Sequence, residues 1–413
     1  MNKKRLFLYV VMVFLGCSSQ NKSVHVPVNL SHTLNLTDSL TVNGQSLYFI
    51  HIYADSPTYE PVVAPGEGIT CVDDVGRFLE VLESEIIQNK RKDFLPIAAG
   101  MTRFLLYMSR EDGLWYNFMF QDGTINTTYR TSTAEFQWWA VRGLRGLTAA
   151  YKIFWDKPGY SELYIQVKDR IETMDSHLQD VLSLYPETEE TPFGKRPLWL
   201  IKNAPDMSAE LMMVLVRLTD TGNYDYREEI DKIAEGLTGY QYINPDSEIH
   251  GMYFCWQSLW HNWGNTQAAA LMAAYRLTEN PAYLESVRLW ADHFVPFLIA
   301  HEFPWEINLL PDHTYKLTSY PQIAYGINSI YQGIKSLAEV TGDKKYKELS
   351  EEVFEWFTGK NSAGSHMYDP KTGRCYDGID DEGSINYNSG AESTIECLMA
   401  IQKLRDSSPY PAP

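Results

Sequence analysis

The sequence predicts an all-α protein: a closed toroid of helical hairpins with a small β segment at its N-terminal side. Helical periodicity sets in near residue 70 and persists to about residue 405. Four similar phrases, WDKPGYSELY, TGNYDYREEI, TENPAYLESV and TGDKKYKELS, recur along that stretch. Helices that are apolar nearly all round alternate with helices that carry a charged face.

Each repeated phrase follows a long apolar helix, breaks the chain with Gly, Asn or Pro, and leads a Tyr into a second helix. Short turns of this kind join antiparallel neighbours. The pairs fall at residues 70–90 with 94–109, 132–155 with 160–183, 206–221 with 224–242, 262–278 with 281–299 and 321–340 with 343–358, and a last helix covers 389–405. The repeat is roughly 60 residues, too long for the common short helical repeats. QWWAVRGLRGLTAAY, ELMMVLVRL and NTQAAALMAAYRL suit an inner ring, whereas YKELSEEVFEWF and YREEIDKIAEGL suit an outer one. Links within pairs are short and links between pairs are long, so the long loops and the N-termini of the inner helices share one face. Such a face is where function is expected.

Ahead of the ring, residues 24–55 alternate apolar and polar around an Asn43-Gly44 turn signal, which reads as a few strands. The expected organisation is a signal peptide at 1–16, a tether at 17–27, the β segment at 28–69 and the toroid at 70–407. The start, MNKKRLFLYVVMVFLGCSSQ, has basic residues, a short apolar run and a small residue before Cys17. It resembles a bacterial lipoprotein signal with FLGC in place of the lipobox. That implies export and a lipid anchor on Cys17, in the periplasm or at the outer-membrane surface. No later segment is long and apolar enough to cross a bilayer.

The bulk properties exclude several classes. A net charge of -18 without a basic cluster beyond the first residues argues against nucleic acid. No phosphate loop, dinucleotide fingerprint or Gly-x-Ser-x-Gly elbow is present. Cys71, Cys255, Cys375 and Cys397 match no zinc spacing, and no His or carboxylate cluster has metal spacing, so neither metal nor cofactor is expected. The four thiols are expected buried and free, with a Cys71–Cys397 pair as the alternative. A monomer is expected. The 11 Trp, 27 Tyr and 17 Phe exceed what a core requires, and stacking on sugar rings is one use for the surplus.

Three helices begin with a capping-box pattern: Thr70 with Asp73, Ser132 with Glu135, and Ser389 with Glu392. All three lie on the long-loop face. CVDDVGR at 71–77, WFTGKNSAGSHMYDPKTGRCYDGID at 356–380 and NSGAESTIECLMAI at 388–401 resemble the six-hairpin glycosidase superfamily, most of all the toroid domains attached to some bacterial glycosyltransferases. The likeness spans most of residues 45 to 405. It implies an (α/α)6 toroid acting on carbohydrate, with inversion at the anomeric carbon.

Glycoside hydrolysis needs two carboxylates. Asp74 and Glu392 are the preferred acid and base, in either order, with Asp73 and Glu135 as further candidates. Asp73 has a competing role as a cap paired to Arg77. Where the first and last helices of a ring adjoin, mutual repulsion of these acids would raise the pKa of one of them. The stretch CWQSLWHNWGNTQ offers Trp256, Trp260, His261, Asn262 and Trp263 to a sugar face and its hydroxyls. Trp138, Trp139, Asp206, Trp305, Tyr320, Asp381 and Asn388 complete the expected substrate contacts, while Glu210, Asp380 and Glu382 are the remaining acids considered. Two rival functions stand beside hydrolysis. One is a non-catalytic glycan-binding lipoprotein, with every acid engaged in a cap or ion pair. The other is a polysaccharide lyase with His261 as base and Tyr320 as acid.

Overall fold

The protein is described by a computed structural model covering residues 26–405. The signal segment, Cys17 and most of the tether lie outside the described residues. A short helix, α1 (Ser31–Asn35), leads into an antiparallel hairpin, Thr37–Val42 with Gln45–Ile50. Asn43 and Gly44 both adopt positive φ at its tip, as a two-residue hairpin turn requires.

The helical body follows in pairs. The inner helix α2 (Val72–Ile87) is backed by α3 (Leu95–Met108), and α4 (Trp138–Phe154) by α5 (Ser161–Glu172) and α6 (Met174–Leu182). Next come α7 (Pro205–Thr219) with α8 (Arg227–Gly239), and α9 (Gln267–Thr278) with α10 (Pro281–Leu289) and α11 (Val295–Ala300). The last are α12 (Ala324–Thr341) with α13 (Lys344–Phe354), and α14 (Ala391–Arg405). Neighbour packing runs α2, α4, α7, α9, α12, α14 and back to α2, which closes the ring. The architecture is the (α/α)6 toroid.

Burial explains the division between rings. Along α4 every residue from Trp139 to Phe154 except Lys152 is buried, whereas α5 buries only the stripe Leu163, Val167 and Ile171. Among the described residues no outer helix follows α14. Its outer flank is met instead by α1, and the second strand of the N-terminal hairpin packs on α3. The N-terminal segment thus fills the place of a sixth outer element.

The seam between α2 and α4 is the tightest in the ring. A Cβ on Gly76 would lie 2.4 Å from the carbonyl oxygen of Arg142, and one on Gly146 would lie 2.7 Å from the Cα of Gly76. The two helices touch backbone to backbone there.

The long loops do more than the sequence reading expected. They fold into small antiparallel sheets on the N-terminal face: Thr70–Cys71 with Phe118–Met119 and Ile125–Asn126, Leu259–His261 with Glu306–Leu309 and Tyr315–Thr318, and Gln322–Ile323 with Gly378–Asp381 and Ser384–Asn386. Cys71, Cys255, Cys375 and Cys397 are buried and free. No described helix is long and apolar enough to cross a membrane.

Replacing Gly76 by Ala is expected to destabilise the protein by about 2–3 kcal/mol through overpacking against rigid backbone. Replacing Gly342, whose φ is +66° and whose Cβ position is open, is expected to cost only about 1 kcal/mol. Urea unfolding of both variants checks the contrast.

Candidate active site

None of the three capping boxes forms. At α2 the Val72 N–H donates to the Asn117 carbonyl at 2.9 Å and to its Oδ1 at 3.1 Å, the Asp73 N–H reaches the same Oδ1 at 3.4 Å, and Nδ2 of Asn117 donates to Oδ2 of Asp73 at 3.0 Å. At α14 the acceptor is Asp377, which takes the Gly390 N–H at 2.8 Å and the Ser393 hydroxyl at 2.5 Å, while Ser389 donates to the Cys375 carbonyl. Ser132 is used up by the adjoining strands: it accepts from the Asn117 and Phe118 amides and donates to the Asn126 carbonyl. Helix α4 therefore starts at Trp138, and Glu135 is left on the surface, paired with Lys202. Caps supplied by distant loops leave Glu392 free to face a cavity and leave one oxygen of Asp73 uncommitted.

That cavity, about 340 Å³, lies where α2, α12 and α14 meet, and Asp73, Asp74, Arg77, Tyr325, Asp377 and Glu392 line it. Arg77 is its organising cation. One guanidinium nitrogen reaches both Asp74 Oδ1, at 3.0 Å, and Glu392 Oε2, at 2.8 Å. Its Nε lies 3.3 Å from Glu396, and its plane stands 5.0 Å from the Tyr325 ring centre. Arg77 pairs with Asp74 at i,i+3 rather than with Asp73. Asp74 also accepts from the Cys71 thiol at 3.2 Å.

The protonation states follow from burial. Asp74 is pushed up to about 7 by desolvation, which Arg77 opposes and Glu392 and Asp73 reinforce. Burial also raises Asp73, whose Oδ1 has no hydrogen-bond partner. Glu396 is raised for the same first reason, and accepts from Asn328 at 2.6 Å. Glu210 behaves differently. Burial works against its charge, yet Arg142 and Arg145 hold it at about 2, and the Thr266 hydroxyl donates to it at 2.6 Å. It is a structural anion beneath the cavity.

A second group sits further round the same face. His261 Nε2 lies 3.1 Å from Oδ2 of Asp206, and the imidazole stacks on Trp263 with ring centres 3.9 Å apart. Trp263 in turn meets Trp305 at 4.4 Å. His261 ends a strand, and Asn262 lies in the loop ahead of α9, five residues before the helix the spacing predicted to hold it. The Asn262 amide is fully buried against Gly326, where any Cβ would collide with it. Trp138 is half-buried, with Arg142 5.6 Å from its ring.

Several expected contacts fall elsewhere. Trp139 is core, its indole N–H shared by the carbonyls of Trp115 and Thr133, and Trp260 is core against Phe294. Asn388 accepts from the Ser56 amide and so ties a loop to the N-terminal segment. Asp381 is exposed at a bulged strand end. Glu135, Tyr320, Asp381 and Asn388 do not line the acidic cavity. Conversely, Asn117, Tyr325 and Asp377 line it without having been singled out, and Glu396 stands behind it against Arg77. Glu396 had a signal, four residues after Glu392 on one helix face. Asn117 and Asp377 had none, since loops carry them from 45 residues after Val72 and 13 residues before Gly390.

No protein-family model and no curated protein matches the chain. Solved structures do. The chain is similar to cellobiose 2-epimerase from Bacillus thermoamylovorans B4167, at 13% identity and TM-score 0.63 over 92% of this chain and 96% of that one. It is similar to a family 76 glycoside hydrolase from a bovine Bacteroides thetaiotaomicron strain, at 12% identity and TM-score 0.52 over 90% and 75%. A polysaccharide lyase matches at 12% identity and TM-score 0.52 over 81% and 89%. At these identities the likeness establishes the toroid fold.

Replacing Arg77 by Met is expected to cost about 3–5 kcal/mol at pH 8, because Asp74 and Glu396 lose their buried counter-charge. The cost shrinks at pH 5, where Asp74, pushed up to about 7, takes up its proton in the folded state. Denaturant unfolding at the two pH values reads the difference.

Proposed function

We propose that the protein is a glycoside hydrolase acting on an oligosaccharide or polysaccharide at the Asp73/Asp74/Glu392 cavity. The observation that carries this reading is the placement of Asp74, a carboxyl pushed up to about 7 by burial, beside the more accessible carboxyl of Glu392 in one cavity. Glycosidic cleavage requires two such carboxyls, one of them a proton donor.

Asp74 acts as proton donor to the leaving oxygen. Glu392, the more exposed of the two, attacks or stabilises the developing cationic sugar. The free oxygen of Asp73 accepts from a sugar hydroxyl. Because Asp74 and Glu392 bond the same guanidinium nitrogen, their nearest oxygens are no more than about 6 Å apart, the two bonds laid end to end. That spacing supports retention by this pair and weighs against the inversion that the resemblance implied. Trp138, Trp263 and Trp305, half-buried on the same face, serve as subsite walls. The similar epimerase, hydrolase and lyase support a carbohydrate substrate without choosing the reaction.

The glycan-binding alternative draws on one fact: Arg77 engages both Asp74 and Glu392. The lyase reading is weaker, because His261 is buried and turns its Nε2 to Asp206. We place the protein in the bacterial cell envelope, lipid-anchored through Cys17, on the strength of the N-terminal sequence alone.

A glycan panel with product detection tests hydrolysis. Asp74→Asn and Glu392→Gln are each expected to lower turnover at least about 100-fold with the fold intact by circular dichroism. Wild-type turnover is expected to fall as pH rises through about 7, since Asp74 must carry its proton. Binding without release in the wild type would favour the glycan binder, and anomeric analysis of early product by NMR decides between retention and inversion.

A further inference from the structure

We infer that Asp206, Cys255 and His261 form a binding site for one zinc-class divalent cation. This site is separate from the acidic cavity, and the inference does not rest on the reading of that cavity as a hydrolase. A carboxylate oxygen of Asp206, the Cys255 sulfur and a ring nitrogen of His261 all lie within 4.8 Å of one another. Within that set Nε2 of His261 and Oδ2 of Asp206 are 3.1 Å apart. Ligand atoms around tetrahedral zinc stand roughly 3–4 Å from each other, given bonds of about 2.0–2.3 Å. The three side chains are 2%, 0% and 5% exposed, and they converge from separate elements: the first turn of α7, the approach to the Leu259–His261 strand, and the end of that strand.

Two plainer accounts explain less. A simple Asp206–His261 ion pair gives the buried Cys255 sulfur beside it no part. The contacts of that sulfur with the surrounding loop are long: the His261 carbonyl at 3.7 Å and the Gly264 carbonyl, Asn265 Oδ1 and Gln267 Nε2 at 3.9 Å. A Cys–His–Asp relay would engage both ring nitrogens and expose the sulfur to substrate. Here the sulfur is sealed, with Cys255 0% exposed. Sulfur, imidazole and carboxylate together make a donor set that suits zinc.

The remaining position is open to water or to Asn265, whose Nδ2 is already fixed on the His261 carbonyl at 2.9 Å. Binding a cation would pin the 255–267 loop to α7. Since His261 stacks on Trp263, it would also hold the Trp263–Trp305 pair in place as a wall of the face.

The test is a cobalt(II) titration of the chelator-stripped full chain, followed by zinc analysis by mass spectrometry. One equivalent of cobalt is expected, with a sulfur-to-cobalt charge-transfer band and the strong visible bands of tetrahedral geometry, both removed by zinc. Cys255→Ser should lose the charge-transfer band, Asp206→Asn should weaken binding at least 10-fold, and Cys397→Ala should change neither. Absence of stoichiometric binding to the wild type overturns the inference, as does a sulfur band that survives Cys255→Ser. Should Cys255→Ser fail to fold, the wild-type spectrum and metal content decide alone.

Discussion

One buried guanidinium holds the first and last inner helices together. Arg77 projects from α2 to the seam of the ring, where Asp74 of its own helix and Glu392 and Glu396 of α14 surround it. A desolvated cation is expensive without counter-charges, so any arrangement that pulls α14 from α2 strands Arg77 and leaves acids exposed to each other. The same requirement concentrates carboxyls on one side of the molecule. The acidity of the cavity and the closure of the toroid are one electrostatic arrangement.

Below that seam the centre of the ring is filled by further ion pairs. Arg142 and Arg145 flank Glu210, Arg145 also meets Glu80, and Arg217 joins Glu80 to Glu83. All of these but Arg142 line a second cavity of about 410 Å³ toward the C-terminal ends of the inner helices. Tyr325 and Glu396 face it, and Tyr325 also faces the acidic cavity. The lumen is thus a stack of charges between two pockets, and the cavity on the loop face has a floor of fixed ions.

The fold was legible because helix period and turn chemistry are local. Four hairpins could be read from repeated turns, and a further hairpin and a last helix from helical period. The acids of the cavity were legible as a group, since Asp73, Asp74 and Glu392 front inner helices. Their environment was not. The capping boxes failed because Asn117 and Asp377, carried on loops, bind the helix ends in place of Thr70 and Ser389, and nothing in the spacing foretells which loop will reach which terminus. The tryptophans show the same limit. Trp138 and Trp139 are neighbours in sequence, but the first lies half-buried on the face and the second in the core, because α4 begins later than its polar prelude suggested. The Asp206, Cys255 and His261 cluster escaped spacing rules because two of its three members come from one loop and the third from a helix almost 50 residues earlier.

The short helix α1 carries a consequence for how the chain reaches this state. It packs against α14, so contacts that complete the wall join residues separated by almost the whole described chain. Closing a loop of that length costs about 5 kcal/mol in chain entropy before any contact repays it. Successive hairpins can form as they are made, each on its predecessor, but the ring is an open arc until its last helix arrives. The arc leaves Arg77 without its two partners on α14 and exposes the apolar flanks of α2 and α14 for all of that time. Ring closure is therefore the late, non-local step of folding, and the interval before it is when the protein is most open to aggregation.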